Sequence, residues 1–178
     1  MKLEIYAGLL RRYAPKINLV SLADLDRLEE RHIQDSLRLA PLVELAPAGP
    51  CADVGSGAGL PGIPLAIASP TRLWRLIEPR SKRAGFLELV VRELGLDNVE
   101  VVRATAQEAS QRWPGGHALA TARALAGPAE ALGLLVPLTT SGGTIAVFCG
   151  AGSAVPEGAE EWEKGIAIVR VNRSLPKA

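Results

Sequence analysis

Hydrophobic positions along this chain follow two different spacings, which divide it about fifty residues from its start. In the first part they recur every three or four residues, the spacing of an amphipathic helix. Tyr6 and Leu10 belong to a first predicted helix, which ends near Pro15. A second helix is predicted to begin at residues 21–24, whose side chains can cap free backbone N–H groups, and to reach about Ala40.

The remainder of the chain alternates short apolar runs with helical patterns. Glycines and prolines bound these runs, and the predicted strands are 51–54, 73–78, 99–103, 118–122, 144–149 and 166–171. Helices are predicted from Ser81 to a stop at Gly95 and from Pro128 to Val136. The alternation predicts an α/β fold with a doubly wound, mostly parallel sheet, whose ligand binds at the carboxyl ends of the strands.

A proline-rich loop at residues 41–50 separates a helical extension (1–49) from the strand–helix body (50–178). With 178 residues the chain fits one compact domain. Its formal net charge of +1 offers no general attraction for nucleic acid, so any such site must be a local patch. Cys51 and Cys149 lie in apolar runs, which favours buried reduced thiols over a disulfide or a metal site. Because the sequence has neither a signal peptide nor an apolar run of about 20 residues, we expect a cytoplasmic protein.

The most informative stretch is residues 53–62, with the sequence DVGSGAGLPG. A strand that ends in such a loop brings bare backbone N–H groups and a helix N-terminus close to a bound nucleotide. A dinucleotide-binding loop that starts with Gly55 and Gly57 would need a third glycine where this chain has Leu60. The spacing of Gly55, Gly57 and Gly59 behind an acidic strand instead resembles the loop of class I methyltransferases, which implies S-adenosylmethionine as the cofactor.

Two further polar positions suit the same ligand. Glu78 ends the second predicted strand, 23 residues after Gly55, where a carboxylate can accept hydrogen bonds from both ribose hydroxyls of a nucleoside. Ala106 and Gln107 follow the third strand, and the Gln107 amide either hydrogen-bonds the adenine edge or only begins a helix in water. The loop and Glu78 together predict a nucleoside site where the first two strands end.

Five segments in register make the likeness more specific. They are NLVS (18–21), RHIQDSL (31–37), GLPGIPLA (59–66), SKRAGFL (81–87) and TARA (121–124). In order and separation they resemble the signatures of the GidB (RsmG) family, whose members use S-adenosylmethionine to methylate N7 of one guanine of 16S rRNA. The resemblance implies an enzyme that acts on 16S rRNA or on the small ribosomal subunit. We expect it to be a monomer that needs no metal ion and no membrane.

The resemblance also gives individual residues expected roles. The cofactor would be bound by Gly55, Gly57, Gly59, Leu60, Glu78, Pro79, Arg80, Ala106, Gln107 and Arg123. The catalytic residues would be Arg123, Arg31 and His32. The RNA would be contacted by Asn18, Arg31, Arg80, Lys82 and Arg83. Three of these cations begin a predicted helix, where positive charge opposes the helix dipole, and this favours phosphate binding over a merely solvated charge run.

Two departures from the family pattern leave other functions open. Cys149 stands before Gly150, where the family has a lysine, and the closing antiparallel strand of the family is not recognisable. The sequence therefore predicts a truncated C-terminal edge of the sheet. The alternatives are a class I methyltransferase with another substrate and a non-enzymatic rRNA-binding module. A nicotinamide-dependent oxidoreductase is disfavoured by Leu60 and by the lack of residues suited to hydride transfer.

Overall fold

Seven strands form a single sheet at the centre of the molecule. The computed structural model describes residues 1–21, 25, 27–150 and 153–172. The strands are β1 (Cys51–Val54), β2 (Trp74–Ile77), β3 (Val99–Val102), β4 (His117–Arg123), β5 (Thr139–Phe148), β6 (Glu160–Glu163) and β7 (Ile166–Arg170). They lie in the order β3-β2-β1-β4-β5-β7-β6. Strands β1 to β5 are parallel, whereas β7 is antiparallel to both of its neighbours, β5 and β6.

Helices cover both faces of the sheet. They are α1 (Lys2–Ile17), α2 (Asp35–Leu37), α3 (Ala40–Leu45), α4 (Gly62–Ala68), α5 (Ser81–Leu94), α6 (Ala106–Arg112) and α7 (Pro128–Leu135). A π-helical segment, Glu29–Gln34, runs directly into α2. Helices α6 and α7 pack on one face, and α1, α3, α4 and α5 pack on the other. The predicted doubly wound α/β fold is therefore confirmed.

Side chains that alternate along β1 supply both layers of the core. Ala52 and Val54 pack with Leu135 on one face, and Cys51 packs with Leu65 on the other. Burial raises the pKa of the Cys51 thiol to about 11, so this thiol is protonated at neutral pH. Both cysteines are free, but Cys149 is only half-buried, so the prediction of a buried thiol is confirmed for Cys51 alone.

Strand β6 was not predicted from the sequence. Its four residues, Glu160–Glu163, show no alternation of apolar and polar side chains. Strand β6 is an edge strand that pairs with β7, and its glutamate side chains are exposed to water. The expected truncation of the C-terminal edge is wrong, since Ile166–Arg170 supplies the antiparallel strand beside β5. A short and acidic edge strand resists pairing with another chain.

The helical extension also differs from its prediction. Residues Ala40–Leu45 are helical rather than part of a loop, and Pro41 lies in the first turn of α3, where its missing N–H costs no helix bond. Of the predicted cap at residues 21–24, residues 22–24 lie outside the described residues. Strand β5 begins earlier than the predicted strand 144–149, because Gly142, with a φ of 79° beside an irregular register with β4, forms a bulge within it.

Hydrogen bonds of Tyr6 and Arg72 are among the contacts that fix the extension to the body. The hydroxyl group of Tyr6, which is fully buried in α1, donates a 2.8 Å hydrogen bond to the carbonyl oxygen of Ala58. The guanidinium group of Arg72, just before β2, donates to the carbonyl oxygens of Val43 (2.9 Å) and Ala46 (2.7 Å) at the end of α3. The extension is thereby held against the loop that follows β1.

A buried carboxyl group, Asp53 on β1, connects three elements. Its Oδ2 accepts a 3.1 Å hydrogen bond from the backbone N–H of Gly62, at the start of α4, and its Oδ1 accepts one of 3.1 Å from the hydroxyl group of Thr121 on β4. A Cβ atom at Gly62 would lie 2.8 Å from Asp53 Oδ2, so only glycine lets the helix approach this closely.

Replacement of Asp53 by asparagine should alter how stability depends on pH. Burial raises the pKa of Asp53 to about 6. Since the folded protein holds this proton more tightly than the unfolded chain does, the free energy of unfolding should fall by ~3 kcal/mol as the pH rises from about 4 to about 6, and then stay level. Asp53→Asn should remove this decline, as measured by urea unfolding at a series of pH values.

The matched control is Asp97→Asn, which changes an exposed carboxylate and should leave the decline in place. The comparison concerns the slope against pH, so a general loss of stability in the Asp53 variant does not affect it. An unaltered slope in Asp53→Asn would show that another group causes the pH dependence.

Candidate functional site

The glycine loop lies between β1 and α4, at the carboxyl edge of the parallel strands. The backbone N–H of Gly55 donates to the carbonyl oxygen of Ile77 (2.8 Å), which fastens the loop to the end of β2. Gly57 has a φ of 52°, a left-handed conformation that L side chains rarely adopt. A Cβ atom at Gly57 would point into space between the loop, Glu78 Oε2 at 4.0 Å and the Arg83 guanidinium at 3.6 Å.

The carboxylate of Glu78 is held in one orientation next to this loop. Its Oε2 accepts the backbone N–H of Gly57 (2.9 Å), and its Oε1 accepts the backbone N–H of Arg80 (2.8 Å). Glu78 is only 3% exposed. Each carboxylate oxygen keeps further acceptor capacity, because an ionised carboxylate has about four lone-pair sites. Gly57 and Glu78, joined by this hydrogen bond, form the Gly57–Glu78 cradle.

A cleft of about 280 Å³ opens beside the cradle. It brings together four of the residues that were predicted to bind the cofactor, namely Gly55, Gly57, Leu60 and Arg123. His32 also lines it, whereas the contributions of Leu19, Val20 and Ala124 were missed. Their apolar side chains do not by themselves indicate a ligand contact, although the NLVS and TARA segments that resemble the family contain them. Only the fold of the extension brings Leu19 and Val20 to the loop.

A second, basic cleft of about 520 Å³ adjoins the first. Arg83 lines both clefts, and its guanidinium group donates a 2.8 Å hydrogen bond to the carbonyl oxygen of Asn18, at the C-terminal cap of α1. The basic cleft contains the predicted RNA-binding residues Asn18, Arg80, Lys82 and Arg83, together with Arg103, which was missed. Arg103 directly follows β3, so its position at the carboxyl edge of the sheet was the available signal.

Arg123, the last residue of β4, links the sheet to the extension. Its guanidinium group forms a 3.0 Å ion pair with Asp35 and donates a 3.1 Å hydrogen bond to the carbonyl oxygen of Arg31. It also lies 3.3 Å from His32 Nδ1 and stacks 4.9 Å from the ring centroid of Phe148. The three predicted catalytic residues, Arg31, His32 and Arg123, therefore lie together, although the side chain of Arg31 is exposed.

The other predicted cofactor residues are dispersed. Pro79 and Arg80 line the basic cleft, while Gly59 packs inward, where a Cβ atom would lie 2.6 Å from Ile63. Ala106 is buried in the core, and Gln107 is exposed on the first turn of α6. That helix begins with a capping box formed by the neighbouring residues Thr105 and Glu108. The role of Gln107 at an adenine edge stays a prediction.

The described residues supply no group of three or more His, Cys, Asp or Glu side chains that could hold a metal ion. In the same part of the chain, no helix has the length and apolar character required to cross a membrane. The carboxyl edge of the sheet presents the glycine loop, the fixed carboxylate of Glu78 and several arginines.

Comparison with known proteins identifies relatives of this chain. The family model for GidB, rRNA small subunit methyltransferase G, matches residues 1–168. A ribosomal RNA small subunit methyltransferase G from Acidiphilium cryptum is 39% identical over 96% of this chain and 83% of its own length. One from Leifsonia xyli is 44% identical over 75% of this chain. The match to the Leifsonia relative spans only 61% of that protein's length.

A solved structure shares the fold. An RNA methyltransferase from Salinibacter ruber, crystallised in complex with S-adenosyl-L-homocysteine, has a TM-score of 0.56 and 19% sequence identity over 82% of this chain and 94% of that chain. At this identity the likeness concerns the fold, which is that of a class I methyltransferase. Because the family model spans nearly the whole chain, the chain belongs to the GidB family of rRNA small subunit methyltransferases G.

Proposed function

We propose that this protein transfers a methyl group from S-adenosylmethionine to N7 of a guanine in 16S rRNA. The observation that carries the proposal is the Gly57–Glu78 cradle at the carboxyl edge of the sheet, in a member of the methyltransferase G family. The substrate is the free RNA or the small ribosomal subunit. We further propose that the protein acts as a monomer in the cytoplasm.

The cradle has the right chemistry for the nucleoside part of the cofactor. Glu78 can accept hydrogen bonds from two ribose hydroxyls, because each oxygen has only one backbone donor. The missing side chain at Gly57 leaves room above the loop, and Leu60 and Val20 provide apolar walls. S-adenosylmethionine supplies a methyl group on a sulfonium sulfur. The bound S-adenosyl-L-homocysteine of the Salinibacter protein, which has the same fold, supports this choice of cofactor.

The reaction needs positioning more than proton transfer. Guanine N7 carries an in-plane lone pair, so no general base has to remove a proton before it attacks the methyl group. Arg123 is the donor best placed to orient the guanine, through a hydrogen bond to O6. Its ion pair with Asp35 and its stacking on Phe148 fix the guanidinium group, and the Arg123 side chain is only 20% exposed. Arg31 and His32 border the same site.

The direct test is methyl transfer from labelled S-adenosylmethionine to 16S rRNA, or to small subunits, that lack the modification. The methylated nucleoside should be 7-methylguanosine. Transfer to other molecules but not to 16S rRNA would favour a class I methyltransferase with a different substrate. Cofactor binding without any transfer, or no binding at all, would favour a non-enzymatic module.

Substitution of Gly57 should lower the affinity for the cofactor by more than a loss of stability alone would explain. In Gly57→Ala, a methyl group would enter the space above Glu78, and we expect cofactor affinity to fall at least ~10-fold, about 1.4 kcal/mol. Isothermal titration with S-adenosylmethionine measures this loss.

The control is Gly95→Ala, at the C-terminal cap of α5, where φ is 56° and no atom lies within 4 Å of the added carbon. Both variants adopt the same left-handed conformation and should lose a similar ~1–2 kcal/mol of stability. Equal cofactor affinities in the two variants would show that the Gly57–Glu78 cradle does not contact the cofactor.

Replacement of Arg123 should impair turnover beyond any effect on the cofactor. Arg123→Ala removes the proposed donor to guanine O6, and we expect the single-turnover rate at saturating cofactor to fall ~10²-fold. The control is Arg112→Ala, which removes an arginine that stacks 4.4 Å from the Trp113 ring centroid at the far end of α6. A single-turnover rate in Arg123→Ala equal to that of Arg112→Ala would exclude the proposed role.

A further inference from the structure

A third cavity, of about 560 Å³, adjoins the cleft beside the Gly57–Glu78 cradle, which is called the cofactor cleft because the proposed function assigns the cofactor to it. The ends of β4 and β5 and the turn between β6 and β7 line it, together with Asp35 and Arg38 from the extension. Arg123 and Ala124 border both this cavity and the cofactor cleft. A molecule in this cavity would therefore lie directly beside a cofactor in the cleft.

The lining of this cavity carries excess positive charge. Its charged side chains are three cations, Arg38, Arg123 and Lys164, and one acid, Asp35. Asp35 pairs with both arginines, at 2.7 Å from Arg38 and 3.0 Å from Arg123. Glu163 forms a 2.7 Å ion pair with Arg38 from outside the lining. Among the described residues, no carboxylate lies within ion-pair distance of Lys164, so its charge is available to an anion.

Lys164 is held in place through its backbone. Its carbonyl oxygen accepts a 2.8 Å hydrogen bond from Arg38, and the next carbonyl oxygen, that of Gly165, accepts one of 2.8 Å from the N–H of Cys149 at the end of β5. The turn between β6 and β7 is thus fastened to the extension and to β5. The ammonium group can move at the end of its flexible side chain, but its point of attachment at the cavity is fixed.

We propose that this cavity receives the target guanine nucleotide and that Lys164 contacts a phosphate group of the RNA there. The assignment rests on the proposed function. Aromatic rings are surfaces on which RNA bases stack, and Phe148, which lies against the Arg123 guanidinium group, lines this cavity. The volume lies in the usual range of ligand pockets, ~300–1,000 Å³. A phosphate explains a lysine without an acidic partner better than a neutral ligand does.

The test is steady-state methyl transfer to 16S rRNA by the full chain and by Lys164→Gln, at several salt concentrations. We expect KM for RNA to rise ~10-fold in the variant, with kcat and the Kd for S-adenosylmethionine unchanged. The dependence of log KM on log salt should become shallower by ~0.7–1, because one phosphate contact is lost. The control, Lys2→Gln, removes an exposed lysine that donates to the carbonyl oxygen of Gly95, and should leave all of these values unchanged.

A second variant adds the charge back from the neighbouring end of β5. Cys149 lines the same cavity, so Cys149→Lys in the Lys164→Gln background should restore most of the RNA affinity and the steeper salt dependence. An unchanged KM and salt dependence in Lys164→Gln, with an active wild-type protein, would overturn this assignment alone. Failure of the wild-type protein to methylate 16S rRNA would overturn the proposed function, and the assignment with it.

Discussion

The carboxyl group of Asp53 is the constraint on which the site depends. It lies fully buried and accepts hydrogen bonds from the first turn of α4 and from β4. Because a buried polar group is costly unless it is hydrogen-bonded, neither element can shift without leaving this carboxyl group unsatisfied. The glycine loop between Asp53 and Gly62 is therefore held at both ends.

Arg123 connects the sheet to the extension. It follows Thr121, the partner of Asp53, by two residues on the same strand, and its ion pair with Asp35 reaches across to α2. From there, Arg38 continues to Glu163 on β6. Isolated ion pairs at a surface contribute little, but the Arg38, Asp35 and Arg123 side chains are largely shielded from water and share partners. Arg123 is the member of this network that lines both the cleft beside the Gly57–Glu78 cradle and the third cavity.

The sequence predicted the features that local patterns determine. Strand 51–54 has the predicted bounds, and the helix that begins at Ser81 ends at Gly95, whose φ of 56° only glycine adopts easily. Glu78 was predicted at the ribose position because strand ends are visible in the sequence. By contrast, Arg38 and Glu163 meet across 125 residues, and no local pattern contains such a pair. Lys164 was missed for the same reason, since its cavity exists only once β6 pairs with β7.

The anchoring of the extension has a consequence for how such proteins diversify. Arg72 fastens the end of α3 to the body through backbone carbonyl groups, which every residue type possesses. This attachment therefore depends little on the side chains of α3, whereas α1 is attached through the side chain of Tyr6 itself. The extension also supplies Asp35 and Arg38 to the third cavity. Substitutions in the extension can thus reshape this cavity while the sheet and its glycine loop are inherited unchanged, provided that Tyr6 keeps its hydrogen bond.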